Sequence, residues 1–545
     1  MISQRLIFIL RFSFFFLVFV FGLFVFKNVK YGVLWNDEAE TVMYAKSIIK
    51  YGYPKVHYGK NILNVSETKD PNIGVKNTND AWIYISSWGS YYFAVPFVKI
   101  ADRFYDIYVK TGILRAAFAF FGFLGVLIFG YTGSLFFQDK LRKLLFINIF
   151  LILEILSTPL LLHIRQVRHY PITIFLVSLI FLLLVRKNVF SEKINGFIYQ
   201  TSLFLLLFLL MNVYFPAFIS IFIFITFFYF LKFVVSPVKI NVVKENVFIV
   251  LNTIILVPYF SFFEFFKISS IISSEFGYNF SRFIFNFKTA FLFFVKSEYL
   301  LLVFLLFLII LIFIKRDKKL LEDKLVVVSL GIFLYLFIAL VVCSRIPYFF
   351  ERYYIFLQPF IVLAFLFLSF KTYDLFDQRG TKNRNFLFFY FLFLALILNL
   401  VFKFENIKGF LYEINHPYRG PMDYLVGYII ENYKEPSSLV IATNYEEYVL
   451  MYYLDSKVVV GYVGNNLDED KKSNPDIVVI RKNRPNFVSE LNDFLKKGNY
   501  KEVILNVYDY QVNNIPETTL PLKHLFKLPE PKDNSERLSL FVRQE

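Results

Sequence analysis

The chain has 545 residues, of which 57% are hydrophobic, 21% are aromatic and only 18% are charged. A charged share below the quarter typical of soluble domains, together with several apolar runs of about 20 residues, excludes a soluble globular protein. The net charge of +16 does not indicate a nucleic-acid partner, because lysines and arginines recur in the short loops between apolar runs, where membrane proteins keep them on the cytoplasmic side.

Eleven apolar segments are predicted to cross the lipid bilayer as helices, which makes the chain a polytopic α-helical membrane protein. They lie near residues 6–28, 113–137, 144–163, 170–186, 197–211, 215–235, 246–263, 298–314, 325–343, 353–370 and 386–402. With the N-terminus in the cytoplasm, every even-numbered gap between spans is basic, which predicts a multi-pass protein of the plasma membrane. The first segment exceeds a signal-peptide core and is expected to remain as a helix. The choice of two spans over 197–235 matters most, because a single span there would invert the topology downstream.

Three regions are expected on the extracytoplasmic side: a first loop at about 29–111, a loop at 264–297 and everything from Lys403 onward. The chain is thus divided into a transmembrane domain, 1–402, and a soluble extracytoplasmic α/β domain, 403–545. In the second domain strands are predicted at 438–443, 457–461, 476–480 and 502–506, with helices at 445–454 and 486–497 between them. No Gly-rich phosphate loop joins a strand to a helix in this sequence, so nucleotide binding is not predicted.

Two neighbouring carboxylates, Asp37 and Glu38, follow the first span. Asn36 is a suitable N-cap, and apolar residues at helical spacing predict an amphipathic helix over 37–50 that lies on the outer membrane surface and ends at Gly52. One interpretation is structural, because acids in a first helical turn complement the helix dipole by about 0.3–1 kcal/mol each. The other is chemical: a general base at the membrane face that removes a proton from an acceptor hydroxyl while other groups stabilise a leaving phosphate.

Arginines on the predicted outer face depart from the usual charge distribution. They are Arg115 at the start of the second span, Arg165 and Arg168 between the third and fourth spans, and Arg345 and Arg352 before the tenth. A guanidinium fork binds phosphate with two hydrogen bonds, so these residues are candidates for a phosphate site. The alternative is that each side chain extends to the membrane interface or pairs with an acid such as Glu351.

Two other kinds of polar residue are candidates. Glu154 lies within the third span, where an ionisable group is costly, and is expected either to pair with one of the arginines or to make a protonated structural contact. His163 and His169 flank the arginine loop and are able to bind a metal with an acid, although a single histidine at a helix end is more often an interfacial residue. On this pattern a zinc site is not expected.

Together these motifs resemble the GT-C glycosyltransferases, and within them the protein mannosyltransferase and aminoarabinose transferase superfamily. The resemblance rests on Asp37-Glu38 with Tyr44-Ala45 and Gly52-x-Pro54, on Leu114-Arg115-Ala116, on Arg165-x-x-Arg168 and on Arg352-Tyr353. It covers nearly all of residues 1–402 in layout, and the acidic motif is its most specific element. The C-terminal domain matches only in position and rough architecture.

The resemblance implies a glycosyltransferase that moves a sugar from a polyprenyl-phosphate donor to an extracytoplasmic acceptor (a lipid, glycan or protein) with inversion at the anomeric carbon. It implies Asp37 as the catalytic base, with Glu38 beside it. The donor phosphate would be held by Arg115, Arg165, Arg168 and Arg352. Further candidates for the site are Tyr44, Asp80, Glu154, His169, Arg345 and Tyr353. Some members of the superfamily use a divalent cation, which is the one cofactor that the resemblance leaves open.

Two departures from the family pattern concern the acceptor and the metal. Family members often have Lys-Pro-Pro in the first external loop, where this chain has residues 80–88, and many have an acid where it has Tyr170. A second acid, if the reaction uses one, would be Asp80, Asp102 or Asp106.

Other classes of function stay open at the level of sequence. A transporter or flippase of lipid-linked sugars would also be polytopic, but the sequence shows no duplicated halves and no matched pair of broken spans. An O-antigen polymerase or ligase also handles lipid phosphates, yet usually has its large loop late in the chain, whereas the large loop here comes first. A non-enzymatic receptor or scaffold role for the C-terminal domain is a further alternative.

Overall fold

The computed structural model describes residues 2–63, 82–83, 87–235, 247–263, 279–315, 322–346, 349–378, 384–462, 467–482, 484–510, 515, 517–518 and 523–544. Its helices are α1 (Ile2–Phe26), α2 (Asn36–Tyr51), α3 (Gly89–Ala101), α4 (Ile107–Ser134), α5 (Lys140–Ile155), α6 (Thr158–Ile164), α7 (His169–Leu184), α8 (Gly196–Val213), α9 (Phe215–Val235), α10 (Val247–Phe262), α11 (Phe280–Ser297), α12 (Leu300–Lys315), α13 (Lys324–Cys343), α14 (Gln358–Gln378), α15 (Arg384–Asn415), α16 (Pro421–Asn432), α17 (Glu447–Leu454), α18 (Leu467–Asp470) and α19 (Val488–Lys497). Its strands are β1 (His57–Tyr58), β2 (Asn61–Ile62), β3 (Val440–Thr443), β4 (Lys457–Val460), β5 (Ile477–Val479), β6 (Tyr500–Tyr508) and β7 (Arg537–Arg543).

Nine of the eleven predicted spans coincide with helices that are long and apolar enough to cross a membrane. Within the described residues seven helices qualify singly, and the number rises to nine if each of two bent helix pairs is one span. The two remaining predicted spans coincide with α10, which has only 16 residues, and with part of α15. The division of 197–235 is confirmed, because α8 ends at Val213 and α9 begins at Phe215.

The third predicted span, 144–163, is not one continuous helix. α5 ends at Ile155, α6 begins at Thr158, and the two axes differ by 78°. Pro159, in the first turn of α6, has no backbone N–H and its ring excludes a preceding helical turn, so a new helix starts here. The bend carries His163 and Arg165 into the protein interior, where both are buried.

The predicted external loop at 264–297 is partly helical. α11 occupies its second half and meets α12 at an angle of 85°, while residues 264–278 lie outside the described residues. The predicted span at 298–314 therefore corresponds to the second arm of a bent pair.

The C-terminal region contains a mixed five-stranded sheet in the order β4-β3-β5-β7-β6. β3 pairs in parallel with β4 and β5, and β7 pairs antiparallel with β5 and β6. The four predicted strands and the helices α17 and α19 are confirmed, whereas β7 is a strand that the sequence pattern did not predict. Because α15 runs across residues 402 and 403, no break in secondary structure marks the predicted domain boundary there, and the division into two domains stays a prediction.

The C-terminal region covers the acidic helix α2, which packs against both α3 and α17. Ala39, Val42 and Met43 on α2 are fully buried. The apolar face that the sequence assigned to the membrane surface is thus covered by protein, since a hydrophobic stripe is satisfied by packing against neighbouring helices as well as by lipid. The helix ends as predicted at Gly52, which adopts a left-handed conformation with φ of 85°.

Candidate active site

The first turn of α2 is capped by Glu38. The N-cap residue is Trp35, not the predicted Asn36, which is the first helical residue. The backbone N–H of Trp35 donates to Oε2 of Glu38 at 3.2 Å. A carboxylate three residues into a helix satisfies this end of the backbone by itself, so an Asn cap is not needed.

Glu38 and Arg115 form a buried ion pair in which both side chains have hydrogen-bond partners. Nε and Nη2 of Arg115 donate to the carboxylate at 3.0 and 2.6 Å, and the backbone N–H of Val167 donates to Oε1 at 3.0 Å. Nη1 of Arg115 donates to the carbonyls of Tyr31 and Gly32 at 3.0 and 2.7 Å. The pair therefore ties α2, α4 and the arginine loop together.

Asp37 is the accessible carboxylate of the two, with 27% of its side chain exposed. Its Oδ2 lies 3.8 Å from Nη2 of Arg168 and 3.8 Å from Nη2 of Arg352. At 3.8 Å these ion contacts are longer than hydrogen bonds, so neither guanidinium is saturated by Asp37. The partly exposed carboxylate of Asp37 thus faces two guanidinium groups, and it does not occupy all of their N–H donors.

Arg168 is held against the start of α2. Its Nη1 donates to the carbonyl of Asp37 at 2.8 Å, to Oε2 of Glu40 at 2.9 Å and to Oγ1 of Thr41 at 3.2 Å. Burial by itself would lower the pKa of Arg168, but Asp37 and Glu40 outweigh it and raise that pKa above its ordinary value. The group therefore stays cationic in the site.

Arg352 is buried among aromatic rings and has an open donor. Its guanidinium carbon lies 4.2 Å from the ring centre of Phe350 and 5.2 Å from that of Trp35. Its Nε makes an ion contact of 3.5 Å with Oε1 of Glu517, and its Nη1 has no hydrogen-bond partner in the part of the chain that the structure describes. Burial opposes the charge, but neighbouring groups that include Tyr170 and Glu517 raise the pKa of Arg352.

Arg165 belongs to a neighbouring cavity. Its Nη2 donates to the carbonyl of Lys27 at 3.0 Å, and its guanidinium lies 5.5 Å from the ring centre of Phe410. Burial lowers the pKa of Arg165 to about 10. The cavity has a volume of about 70 Å³ and is lined also by Arg115, Glu413 and other polar residues.

Three other predicted candidates lie close to the arginines. The ring of His169 stacks on Tyr214 with centres 4.4 Å apart, and Tyr353 accepts a hydrogen bond at its carbonyl from Tyr214 at 3.1 Å. Tyr44 is fully buried with its ring 4.9 Å from that of Tyr91. These residues support the site by packing.

The remaining predicted candidates are Arg345, Asp80, Asp102 and Asp106. Arg345 is exposed, and Asp80 lies outside the described residues. Asp102 pairs with Lys46 at 3.8 Å, and Asp106 caps α4 by accepting from backbone N–H groups. Neither acid makes a described ion pair with the arginines of the site.

Glu154 does not pair with an arginine among the described residues. It is fully buried on α5, and its polar neighbours are Glu298, Lys403 and Gln358. Lys403 donates to Glu298 at 2.7 Å, so the nearest cation already has a partner. Of the two alternatives that the sequence left open, the described residues favour a structural contact over pairing with an arginine, because the bend between α5 and α6 separates Glu154 from the arginine loop.

The C-terminal region adds residues that the sequence analysis missed. Tyr445 packs on Trp35, and Arg484 lies 4.1 Å from the ring centre of Tyr445. Glu447 is buried, and burial, with added repulsion from Glu40 and Asp37, raises its pKa to about 7. The signal in the sequence was Tyr445-Glu446-Glu447 directly after a predicted buried strand, which is where a parallel sheet commonly presents functional groups.

A buried group of potential metal ligands lies beside Arg352. His163, Glu351 and Glu517 each offer a ligand atom, and these atoms lie within 4.8 Å of one another. Nε2 of His163 is 3.3 Å from Oε1 of Glu351. Burial, followed by the Glu351 charge, raises the pKa of Glu517 to about 7. The histidine was noted in the sequence, but the two glutamates as its partners were not.

Comparisons with known proteins identify the fold. No protein-family model and no curated protein matches the sequence. The crystal structure of ArnT from Cupriavidus metallidurans in the apo state matches with a TM-score of 0.52 and 8% sequence identity, over 96% of this chain and 97% of that one. The chain has an ArnT-like fold. A crystal structure of the same ArnT bound to undecaprenyl phosphate gives a TM-score of 0.49 and 10% identity, over 97% of both chains.

The ArnT-like fold confirms two predictions from the sequence. One is the architecture, a polytopic helical membrane protein with a C-terminal mixed α/β sheet, and the other is the motif resemblance to the aminoarabinose transferases. In this ArnT-like fold the site lies where the start of α2, the loop between α6 and α7, and the segment before α14 meet the C-terminal region. At this sequence identity the likeness concerns the fold, so chemistry has to be argued from the side chains.

Proposed function

We propose that the protein is a glycosyltransferase that uses a polyprenyl-phosphate sugar as donor and an extracytoplasmic hydroxyl as acceptor. The observation that carries the proposal is a partly exposed Asp37 with Arg168 and Arg352 each 3.8 Å from the same oxygen. The motif resemblance and the ArnT-like fold support the same class of reaction. We further propose that this site faces the outer side of the plasma membrane.

The reaction needs one base and an anion site. Asp37 accepts the proton of the acceptor hydroxyl, whose oxygen bonds to the anomeric carbon from the face opposite the phosphate. The bond between that carbon and the phosphate oxygen breaks, and the configuration inverts. Polyprenyl phosphate leaves with one more negative charge, which Arg168 and Arg352 stabilise at fixed positions.

We assign the binding of the donor phosphate to Arg168 and Arg352, and a structural role to Glu38 and Arg115. Arg352 has an open Nη1, whereas Arg115 has acceptors for its Nε, Nη1 and Nη2 groups. A phosphate that bound Arg115 would have to displace a buried carboxylate and leave it unpaired, which is costly. Arg165 stays a separate candidate, because it lines the cavity of about 70 Å³.

The test is sugar transfer by the purified full-length protein from a synthetic polyprenyl-phosphate sugar to a panel of hydroxyl acceptors. Asp37→Asn should lower the rate of transfer by about 100-fold or more, the range expected for loss of a general base, while donor binding is retained. Asp102→Asn is the matched control, since Asp102 is a partly exposed acid whose ion pair among the described residues is with Lys46 at 3.8 Å.

The outcomes separate the alternatives. Movement of labelled lipid across vesicles without any glycoside product would indicate a flippase and contradict the proposal. Joining of oligosaccharide repeats from a lipid pyrophosphate, without transfer from the monophosphate sugar, would indicate a polymerase. Full transfer activity in Asp37→Asn would remove Asp37 from the chemistry.

A further inference from the structure

We propose that His163, Glu351 and Glu517 bind a divalent metal ion, with Zn²⁺ as the best fit, and that the ion fixes Arg352 at the phosphate site. The second half of this inference rests on the proposed function, because it takes Arg352 as a phosphate ligand. The first half, binding of the metal, does not depend on any activity.

The three ligands converge from distant parts of the chain. His163 ends α6, Glu351 begins the short turn Glu351–Tyr353 before α14, and Glu517 belongs to the C-terminal region. All three are at least 99% buried. An imidazole nitrogen and carboxylate oxygens are each Zn²⁺ ligands, and three protein ligands leave a fourth tetrahedral position for water.

The distances suit a metal after a small adjustment. Ligand atoms around a tetrahedral Zn²⁺ lie about 3.4 Å apart, given metal–ligand bonds of about 2.0–2.2 Å. Nε2 of His163 and Oε1 of Glu351 are already 3.3 Å apart, and the widest separation within the group is at most 4.8 Å. Oε1 of Glu517 has no hydrogen-bond donor among the described residues, so it is available to close this gap.

The balance of charges around the group also favours a bound cation. Asp37, Glu40 and Glu517 each pair with Arg168 or Arg352, and a fourth acid, Glu351, lies beside Glu517. If all are ionised, the balance is two negative charges, and buried charges without compensation cost several kcal/mol each. A divalent ion at the His163 group would neutralise this excess.

Neighbouring side chains are placed as a second coordination shell. The Gln166 amide lies 2.8 Å from Nδ1 of His163, and Oε1 of Gln166 is buried without a partner in the part of the chain that is described. A half-turn of the amide lets this oxygen accept from Nδ1–H, which leaves Nε2 of His163 free for a metal. Thr518 donates to both oxygens of Glu351 at 2.6 Å and orients it.

Arg352 is the link between this site and Asp37. Glu517 contacts Nε of Arg352 at 3.5 Å, while Nη2 of the same arginine lies 3.8 Å from Asp37. An ion that fixes the position of Glu517 also fixes the side chain of Arg352. The same ion attaches the C-terminal region to the membrane helices at the catalytic site. The metal acts as a positioning element, and no bond of the sugar is made or broken on it.

The experiment uses the full-length protein in detergent, stripped with a chelator and titrated with ZnCl₂, MnCl₂ and MgCl₂ in turn. Bound metal is measured by mass spectrometry, and unfolding temperature is measured without donor or acceptor. We expect about one Zn²⁺ per chain and a higher unfolding temperature on binding, since a ligand of the folded state stabilises it. Glu517→Gln, which keeps the shape of the side chain, and His163→Ala should each weaken Zn²⁺ binding by about 100-fold or more.

The matched control is His524→Gln, which removes another His–Glu pair, the buried His524 with Glu413 at 2.5 Å, and should leave Zn²⁺ binding unchanged. A stripped wild-type protein that takes up no metal at micromolar concentrations, or variants that bind as tightly as wild type, would overturn the proposal. Donor binding is then compared with and without Zn²⁺. A protein that binds Zn²⁺ but transfers no sugar would contradict the proposed function alone.

Discussion

Two arginines of the site differ in how many of their N–H groups already have acceptors. Arg115 donates to Glu38, Tyr31 and Gly32, whereas Nη1 of Arg352 has no acceptor within the described residues. A new anion is bound by donors that are open, because displacing a buried acceptor costs as much as the new bond supplies. Occupancy of donors therefore separates a structural arginine from a ligand-binding one, although both stand on the predicted outer face.

Replacing Arg352 should weaken binding of the donor phosphate. A hydrogen bond to a charged group contributes about 1.5–3 kcal/mol, so Arg352→Gln should raise the Kd for a polyprenyl phosphate by about 10- to 100-fold. Arg352→Lys should recover only part of the affinity, because lysine keeps the charge but lacks the planar fork. Arg345→Gln, at an exposed arginine of the same loop, is the control. Equal affinity for Arg352→Gln and wild type, measured by titration calorimetry, would exclude Arg352 from the phosphate site.

Glu447 predicts a dependence of stability on pH. Burial, with repulsion from Glu40 and Asp37, raises its pKa from 4.5 to about 7 in the folded protein. The folded state then holds a proton that the unfolded chain releases, so this residue makes stability fall as pH rises from about 4.5 to about 7 and adds no slope above that. Between pH 4.5 and pH 7 this residue lowers the free energy of unfolding by about 3 kcal/mol.

Glu447→Gln should abolish that slope. The difference in free energy of unfolding, variant minus wild type, should increase by about 3 kcal/mol between pH 4.5 and pH 8. It is measured by denaturant unfolding followed by circular dichroism. Glu502→Gln, at an exposed position of β6, should keep the wild-type pH profile. Parallel profiles for wild type and Glu447→Gln would show that the folded protein does not hold this proton.

At the scale of the element, α2 is fixed more by one ion pair than by its own sequence. Glu38 receives hydrogen bonds from Trp35, Arg115 and Val167, which belong to three different segments. The helix could be predicted because its apolar spacing and its Gly52 stop are local features. Its packing partners could not be predicted, because they depend on α4 and on a loop more than a hundred positions along the chain.

Breaking the Glu38–Arg115 pair on one side should be more damaging than removing it altogether. Arg115→Met leaves a buried carboxylate without its partner and should lower the free energy of unfolding by about 3–5 kcal/mol. The double variant Glu38→Gln with Arg115→Met should be more stable than the single one. The half-exposed pair Lys46–Asp102 is the control, and Lys46→Met should cost less than about 1 kcal/mol. A double variant less stable than Arg115→Met would contradict this account.

The same contrast between local and distant features explains which parts of the site could be predicted. Arg168 and Arg352 were singled out because arginine is unusual on the predicted outer face of a membrane protein, and Asp37 because two adjacent carboxylates follow the first span. Glu517 was not, because a glutamate in a polar C-terminal region has no local feature that sets it apart. The break at Pro159 was also missed, since a hydropathy window averages over a proline in the middle of an apolar run.

At the scale of the whole molecule, side chains of the C-terminal region accept hydrogen bonds from the backbone of the segment between α1 and α2. Oδ1 of Asp423 accepts from the backbone N–H of Val33 at 2.9 Å, and the hydroxyl of Tyr453 accepts from that of Leu34 at 3.1 Å. The same hydroxyl lies 2.5 Å from Oγ1 of Thr111 on α4. The segment that leads into Asp37 is therefore positioned from the C-terminal side.

This sharing predicts that the two parts unfold together. Tyr453→Phe removes the acceptor of a buried N–H, which costs about 1–3 kcal/mol, and it should lower the temperature of one common transition. Because the segment before Asp37 loses an anchor, the rate of sugar transfer should fall more than the affinity for the donor. Tyr424→Phe, at a tyrosine of α16 that is 42% exposed, should change neither quantity. Calorimetry that resolves two transitions, with Tyr453→Phe lowering only the one assigned to the C-terminal region, would show that the parts are independent. The geometry around Asp37 would then have to be explained by the membrane helices alone.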